Sequence, residues 1–314
     1  MPRVIDCPTD ESLELGELVE LLETGGFDSE DEENFASWGI QLRKLAHNRN
    51  FLAEMMIAEL KQRCAGQLQD NQYSAQVVLL HADPRSNFVI RANFWPALKD
   101  SVVKHSGTDP FAYGMPHDHN FSFLTVGYLG PGYWSEYYEY DYGAVVGYPG
   151  EAVSLRYVEK SRLEPGKVML YRAHRDIHQQ LPADAMSVSL NILERSPSSP
   201  FRDQYHFDLE RAQIAGIMTR TSLEPMLALT AHYGGEDGED LLRNFAAGHP
   251  SERVRWAALK AQAGAAPDLD GRIAVFERGT RAASALVSAM ARREIEQLES
   301  HRAWIAGDHL EPAG

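Results

Sequence analysis

Residues 74–195 form a succession of short segments rich in β-branched and aromatic residues, and this pattern restricts the possible folds more than any other feature. Turn signals such as Asp83-Pro84, Gly130-Pro131-Gly132 and Pro165-Gly166 separate the segments. The segments are AQVVLL, NFVIRANFW, FSFLTVGY, YWSEYYEYDY, AVSLRYVE, KVMLYRA and MSVSLNIL. No helical pattern of useful length interrupts them. Many short strands at regular spacing predict an antiparallel sandwich or barrel.

Helical patterns flank this strand-rich region on both sides. Before it, leucines recur at helical spacing over 11–24, and an apolar stripe runs from about 34 to 64 with a break expected near 48–50. After it, Ser196-Pro197-Ser198-Ser199-Pro200 reads as a linker, and the chain becomes alanine-rich. The candidate helices there are 222–232, 239–247, 251–263, 271–277 and 280–304.

The sequence therefore predicts an α+β fold in three regions. Residues 1–73 form an N-terminal helical segment, 74–195 the β domain and 196–314 a C-terminal helical region. Within the last region, the stretch 249–259 resembles one unit of a HEAT-type helical repeat. Because the match covers little more than one helix and a solenoid needs several stacked units, we expect a small helical cap. We expect these helices to serve a homodimer or a peptide or protein partner.

Charge and hydropathy exclude several classes of protein. The chain has 314 residues and a formal net charge of −15, and it contains no long run of lysine and arginine. A surface for nucleic acid or for an anionic membrane is therefore not expected. Neither a signal peptide nor an apolar run of membrane length is present, so we expect a cytoplasmic protein.

The residues with the clearest chemical meaning are His117-Asp118-His119, in the segment 113–121. Residues two apart in a strand point to the same side, so the two imidazoles lie side by side and Asp118 points away. Two histidines on a solvated strand face would have the same spacing without a metal. The flanking residues are apolar and aromatic, however, which favours an interior face and a metal site.

A third nitrogen ligand must come from a segment distant in sequence. The stretch that begins at Pro165-Gly166 provides one, because a turn and an apolar strand are followed by His178. His174 is the competing candidate, but a spacing of four residues shares a face only on a helix. We therefore predict His178 as the third ligand and assign His174 to the surrounding pocket, as a supporting group or a catalytic acid–base residue.

The His-x-His segment and the Pro-Gly unit that ends in His178 together resemble the two motifs of the cupin superfamily, over about 74–195. The resemblance implies a small antiparallel β-barrel of jelly-roll type with a metal inside its mouth. Many cupins place a glutamate shortly after the histidine pair, whereas Phe121 and Phe123 stand here. The remaining three-histidine pattern is similar to the thiol-dioxygenase (cysteine dioxygenase-like) branch, which implies Fe(II) as the cofactor. Because imidazole suits several divalent metals, Zn, Ni and Mn remain alternatives.

Aromatic residues crowd the predicted β strands and should line the pocket. Tyr171 shares the strand that leads to His178 and is a second candidate catalytic residue. Alternation puts Tyr138 and Tyr140 on one strand face, where we expect them to contact the substrate.

Arginine inside a barrel is costly unless it meets an anionic partner. The thiol-dioxygenase branch anchors its substrate carboxylate with an arginine, and this resemblance points to Arg91. The alternative is that Arg91 pairs with a structural carboxylate such as Glu136 or Glu159. The anchor would then be Arg156 or Arg172.

Three functions are compatible with these residues. The first is a mononuclear non-haem iron dioxygenase or oxidase that combines O₂ with a small polar substrate such as a thiol or an amino acid. The second is a metal-dependent isomerase or hydrolase, which needs a base such as His174 or Glu136 near an open metal site. The third is a non-catalytic cupin that binds a metal or ligand and carries a helical interaction module. The three-nitrogen ligand set favours the first.

Overall fold

The computed structural model of the chain describes residues 1–71, 73–74, 76–219 and 221–302. In these residues, eleven strands form two main antiparallel sheets and one hairpin. The strands are β1 (Arg3–Ile5), β2 (Val77–His81), β3 (Phe88–Trp95), β4 (Phe123–Leu129), β5 (Trp134–Glu139), β6 (Arg156–Arg162), β7 (Val168–Tyr171), β8 (Asp176–Leu181), β9 (Ser187–Glu194), β10 (Tyr205–Asp208) and β11 (Gln213–Ile217). The first sheet has the order β1-β7-β4-β9-β3-β2, the second has the order β6-β5-β8, and β10 pairs with β11.

The helices of the described chain lie mostly before and after these strands. They are α1 (Leu15–Thr24), α2 (Glu32–Ser37), α3 (Gly39–His47), α4 (Phe51–Lys61), α5 (Ala65–Asp70), α6 (Ser101–Ser106), α7 (Leu223–Tyr233), α8 (Gly235–Gly248), α9 (Glu252–Gly264), α10 (Leu269–Gly279) and α11 (Ala285–Ser300). Short 3-10 turns occur at Asp109–Phe111, Tyr142–Ala144 and Ser199–Phe201.

Strand β3 illustrates how the two main sheets enclose an interior. Phe88, Ile90 and Ala92 are buried in the cluster that contains the N-terminal helices. Side chains alternate along a strand, and Trp95 belongs to a second cluster that joins residues of both sheets. That cluster includes Phe123 of β4, Tyr137 of β5, Met169 and Tyr171 of β7 and Leu193 of β9. The predicted α+β fold class, with antiparallel strands flanked by N-terminal and C-terminal helices, is confirmed.

The N-terminal helices cover the outer face of the first sheet. Leu18 of α1 and Leu42 of α3 are fully buried there, and each such leucine contributes about 2 kcal/mol of burial free energy. Helix α3 ends at His47, and the side-chain oxygen of the next residue, Asn48, accepts a hydrogen bond from the backbone N–H of Phe51, the first residue of α4. The predicted break near 48–50 is therefore confirmed, and a further break at Trp38 separates α2 from α3.

Three parts of the β region differ from the sequence prediction. Helix α6 interrupts the strands between β3 and β4. The predicted strand leading to His178 is two strands, β7 and β8, joined by a turn in which His174 has a φ of 59°. The region 196–314, predicted to be helical, begins with β10 and β11, because β10 returns to the β domain through a bridge between His206 and His117. Strands therefore continue to residue 217 and do not end at 195.

Contacts divide the chain into two compact units. The first consists of Met1–Val145 and Ala152–Met218, and the second of Val146–Glu151 and Thr219–Gly314. In the second unit, helix α9 carries the HEAT-like stretch and begins at Ser251, whose hydroxyl oxygen accepts a hydrogen bond from the backbone N–H of Val254. Within the part of the chain that is described, no helix combines the length and the apolar character needed to cross a membrane.

Candidate metal centre

His117 and His119 lie in an extended segment before β4, and not in a regular strand. The N–H of His117 donates to the carbonyl of His178 at 3.1 Å, and the N–H of His178 donates to the carbonyl of His117 at 3.0 Å. A second bridge joins His117 to His206 of β10. The segment is thus held extended between two strands, so the two imidazoles point to the same side.

The three histidines predicted as ligands form one buried cluster. Nε2 of His178 lies 3.1 Å from Nε2 of His117 and 3.1 Å from Nε2 of His119. Potential ligand atoms of all three residues lie within 4.8 Å of one another. Metal–nitrogen bonds of roughly 2.1 Å at near right angles put ligand nitrogens roughly 3 Å apart. The observed spacing therefore fits one metal ion bound by all three residues.

Hydrogen bonding fixes which nitrogen of His117 faces the centre of the cluster. Its Nδ1 lies 2.8 Å from the carbonyl oxygen of Met115, which can only accept, so Nδ1 carries the proton and Nε2 offers a lone pair. Burial lowers the pKa of His117. Burial and neighbouring histidines hold the pKa of His119 and of His178 well below its usual value. Three neutral imidazoles that converge in this way are suited to a cation.

Aromatic side chains hold the rings of His119 and His178 in place. The ring of His119 lies 5.1 Å from Phe121 and 4.9 Å from Phe123, and that of His178 lies 5.0 Å from Tyr171, between centroids. The Nδ1 atoms of both histidines are buried without a hydrogen-bond partner, so packing sets the ring orientations. No aspartate or glutamate of the described chain joins the cluster.

Tyr171 lies beside the cluster, where the sequence places a candidate catalytic residue. Its hydroxyl is 3.0 Å from that of Tyr137, and its ring stacks on Phe123 at 4.4 Å. Burial, together with neighbouring Tyr133 and Tyr137, raises the pKa of Tyr171 well above its usual value. Tyr171 is therefore a protonated phenol. The sequence analysis did not single out Tyr133 and Tyr137 among the strand aromatics, although their spacing of four residues puts both on one strand face.

Asp118 points away from the cluster, as expected. Its buried carboxylate accepts a hydrogen bond from the hydroxyl of Tyr140 at 2.5 Å and one from the backbone N–H of Tyr205 at 2.6 Å. Its backbone carbonyl accepts from the side-chain amide of Gln204 at 2.8 Å. These contacts hold the residue between the two histidines from the reverse side of the segment.

His174 does not join the three-histidine cluster. Its Nδ1 lies 3.8 Å from Oδ2 of Asp118, and its ring packs on Tyr142 with centroids 4.0 Å apart. The left-handed backbone conformation at His174 turns the side chain to the Asp118 side, a local geometry that the sequence pattern does not reveal.

Tyr138 and Tyr140, predicted to contact the substrate, also lie away from the cluster. They pack in a separate apolar group with Ile177 and Phe207. Alternation correctly puts the two tyrosines on one face. It does not determine which face of the strand turns towards the histidines, because that depends on the opposing sheet.

Arg91 lies on the interior side of β3. Its Nε atom is buried without a hydrogen-bond partner, and its guanidinium carbon lies 4.8 Å from the ring centroid of Tyr73. Burial lowers the pKa of His119 most, and the two other histidines and the charge of Arg91 lower it further. The guanidinium is therefore close enough to the cluster to interact with it electrostatically. Burial lowers the pKa of Arg91, and the neighbours that oppose this effect are Tyr73 and Tyr133.

The alternative partners and anchors are engaged elsewhere. Glu136 pairs with Lys160 at 3.6 Å, Arg172 pairs with Asp176 at 2.7 Å, and Arg156 pairs with Glu139. Arg91 forms no ion pair with a carboxylate of the described residues, Glu136 and Glu159 included. Of the three strand arginines considered, Arg91 is therefore the one whose charge is not matched by an acid.

A cavity of about 630 Å³ lies beside Phe121 and Tyr73, and neither Arg91 nor a histidine of the cluster is part of its wall. Tyr73, Val89, Phe121 and Leu193 contribute to its wall. Phe121 contacts His119, and Tyr73 covers the guanidinium of Arg91. The volume is typical of a site for a small ligand, and the wall combines these apolar and aromatic residues with Glu194, Arg195 and Ser196.

His206 is a further residue near the centre that sequence reasoning missed. It forms the β-bridge with His117, and its proximity contributes to the lowered pKa of His117, after the larger effect of burial. No motif surrounds His206 in the sequence. Its position depends on the return of β10 to the extended segment, which is a long-range feature of the fold.

Comparison with known proteins gives similar structures but no family. No protein-family model and no curated protein matches the chain. A structure of DMSP lyases is 12% identical, over 42% of this chain and 52% of that chain, with a TM-score of 0.25. The hydroquinone 1,2-dioxygenase PnpCD, in complex with Cd²⁺ and 4-hydroxybenzonitrile, is 13% identical over 42% of this chain and 71% of that chain, with a TM-score of 0.25. A Pseudomonas putida prolyl-4-hydroxylase is 13% identical over 58% of this chain and 99% of that chain, with a TM-score of 0.27.

The chain spans about half the length of the first of these proteins. Likenesses at such low identity and TM-score carry no chemistry to this chain. The assignment of function therefore depends on the residues around the three histidines.

Proposed function

We propose that this chain is a mononuclear non-haem Fe(II) dioxygenase or oxidase that acts on a small anionic substrate, such as a carboxylate-bearing thiol. The observation that carries the proposal is the buried set of three converging histidine nitrogens, with no carboxylate among them. Structural metal sites are normally closed by four protein ligands, whereas three leave positions open. Fe(II) held by His117, His119 and His178 would supply the centre at which substrate and O₂ meet.

Arg91 binds the anionic group of the substrate. A partly buried guanidinium without an acidic partner is costly, and an incoming carboxylate would match both its charge and its forked geometry. Val89, Phe121 and Leu193 in the wall of the neighbouring cavity then hold the body of the substrate. The charge and the wall together would orient the molecule towards the histidine cluster.

Tyr171 and the surrounding aromatic rings complete the site. Because its phenol stays protonated, the Tyr171 hydroxyl can donate a hydrogen bond to a substrate oxygen while it remains close to Tyr137. Phe121 and Phe123 keep water away from the rings of the histidines, which strengthens polar interactions inside the pocket. His174 is not assigned a catalytic role, since it lies on the Asp118 side of the segment.

The test is oxygen consumption by protein reconstituted with Fe(II) under anaerobic conditions. Cysteine and 3-mercaptopropionate carry a thiol and a carboxylate, and cysteamine is the matched probe that lacks the carboxylate. We expect oxygen uptake with a carboxylate-bearing thiol and at least a tenfold lower rate with cysteamine. No uptake with any thiol, despite bound iron, would contradict the proposed substrate class. Full activity of zinc-loaded protein without oxygen would contradict the dioxygenase.

The isomerase or hydrolase alternative has less support. It requires a base beside the open metal position, and the two candidates were His174 and Glu136. The first lies beside Asp118, and the second pairs with Lys160. No specific contact favours this alternative, so it is not proposed.

A further inference from the structure

Three arginines line a groove of about 590 Å³ within the C-terminal helical unit. They are Arg243 of α8, Arg255 of α9 and Arg278 near the end of α10. The rest of the lining is mostly small or apolar and includes Ala246, Ala247, Leu259, Ala282, Ala283 and Val287. Neither aspartate nor glutamate occurs among the described residues that line it.

Among the residues that the structure describes, two of these three guanidinium groups bond only to neutral acceptors. Arg255 donates to the backbone carbonyl of His249, and Arg278 donates to the side-chain oxygen of Gln262 at 3.4 Å. Arg243 differs, because it bonds to Glu239 and Asp240 on its own helix. In a chain with a net charge of −15, the groove is therefore a local excess of positive charge.

The beginning of α11 adds to this excess. Ser284, which lines the groove, caps the helix by accepting a hydrogen bond from the backbone N–H of Val287. The aligned peptide dipoles of a helix place partial positive charge at its first turn. The arginines and the N-terminal end of α11 therefore both favour a negatively charged ligand.

We infer that this groove binds an acidic peptide segment. Arginine side chains match carboxylates in a bidentate geometry, and the alanine-rich lining lets a peptide backbone approach closely. A nucleic acid is disfavoured as the occupant, because three arginines neutralise few phosphates and the chain contains no long run of lysine and arginine. The inference gives the predicted partner of the C-terminal helices a chemical character, and it does not depend on the metal centre.

The experiment measures binding of a short fluorescent peptide of alternating glutamate and alanine to the full chain, by fluorescence anisotropy. The matched probe has glutamine in place of every glutamate. We expect at least tenfold weaker binding of the glutamine peptide, and weaker binding of the glutamate peptide as sodium chloride is raised. Equal binding of the two peptides would overturn the inference. Complete displacement by inorganic phosphate at the same concentration would also overturn it, since the groove would then be a free-anion site.

Variants locate the binding within the groove. The double variant Arg255→Gln, Arg278→Gln should bind the glutamate peptide at least tenfold more weakly. The control is Arg292→Gln, an exposed position on α11 outside the groove, which should bind as the parent does. If circular dichroism shows that the double variant is misfolded, Arg278→Glu alone replaces it, because Arg278 is exposed. Unchanged affinity in a folded variant would overturn the assignment.

Discussion

The hydroxyl of Tyr140 donates a hydrogen bond of 2.5 Å to Oδ2 of Asp118, on the side of the chain opposite the three histidines. Asp118 stands between His117 and His119, so this bond holds the candidate ligand segment from behind. The segment belongs to no regular strand and depends on such contacts for its shape. Groups that orient metal ligands from outside commonly affect metal affinity as well.

The first prediction follows from this bond. Tyr140→Phe keeps the ring against Phe207 but removes the donor to Asp118. We expect metal affinity to fall about tenfold or more. We expect the free energy of unfolding to fall by about 1–2 kcal/mol, because a buried carboxylate loses a hydrogen bond. Metal titration and denaturant unfolding measure the two effects. Tyr138→Phe is the control, and equal metal affinity of the two variants would show that the bond does not position the ligands.

The second prediction separates the two candidates for the third ligand. His178→Ala should lose most of its bound metal, because its Nε2 lies 3.1 Å from the Nε2 atoms of the other two histidines. His174→Ala should keep its metal, because that ring lies beside Asp118 and Tyr142. Elemental analysis of the metal content of both folded variants tests which histidine is the third ligand. The reverse pattern would mean that His178 is not a ligand.

The third prediction concerns Arg91. Arg91→Met keeps a long apolar side chain and removes a partly buried charge that has no acidic partner among the described residues. We expect the free energy of unfolding to stay constant or rise, since an uncompensated buried charge is destabilising. We expect substrate affinity to fall at least tenfold. Unfolding and binding measurements on the same variant test both, with Arg156→Met as the exposed control. A loss of several kcal/mol of stability with unchanged affinity would make Arg91 structural.

The fourth prediction uses metal binding as a stabilising ligand. A metal at 100 times its dissociation constant adds about 2.7 kcal/mol to the stability of the state that binds it. For a unit of this size, the melting temperature should rise by about 5–10 °C. Differential scanning calorimetry of metal-free and metal-loaded protein measures the shift. His119→Ala should show none, and a shift of the same size in that variant would place the metal elsewhere.

The residues brought together around the cluster could largely be predicted from the sequence. Because His117 and His119 are two residues apart, their side chains point to the same side of the chain even outside a regular strand. The Pro165-Gly166 turn indicates that the chain returns and brings His178 towards them. Arg91 could be predicted as a buried strand arginine. These features depend on alternation and turns, which are local properties of the chain.

Other features depend on contacts between distant segments. The side chain of His174 lies outside the cluster because its backbone has a positive φ. Tyr140 contacts Asp118 because it lies on the face of its strand that points away from the histidines. Strands β10 and β11 lie beyond a proline-rich linker that normally ends a domain, and they are fixed by the pairing of His206 with His117. No local pattern encodes these contacts.

The most direct measurement is an anaerobic calorimetric titration of metal-free protein with Fe(II). The parent chain should bind one Fe(II), and the triple variant His117→Ala, His119→Ala, His178→Ala should bind none while its circular dichroism spectrum stays the same. Full Fe(II) binding by the folded triple variant, or none by the parent, would contradict the assignment of these three histidines as the metal centre.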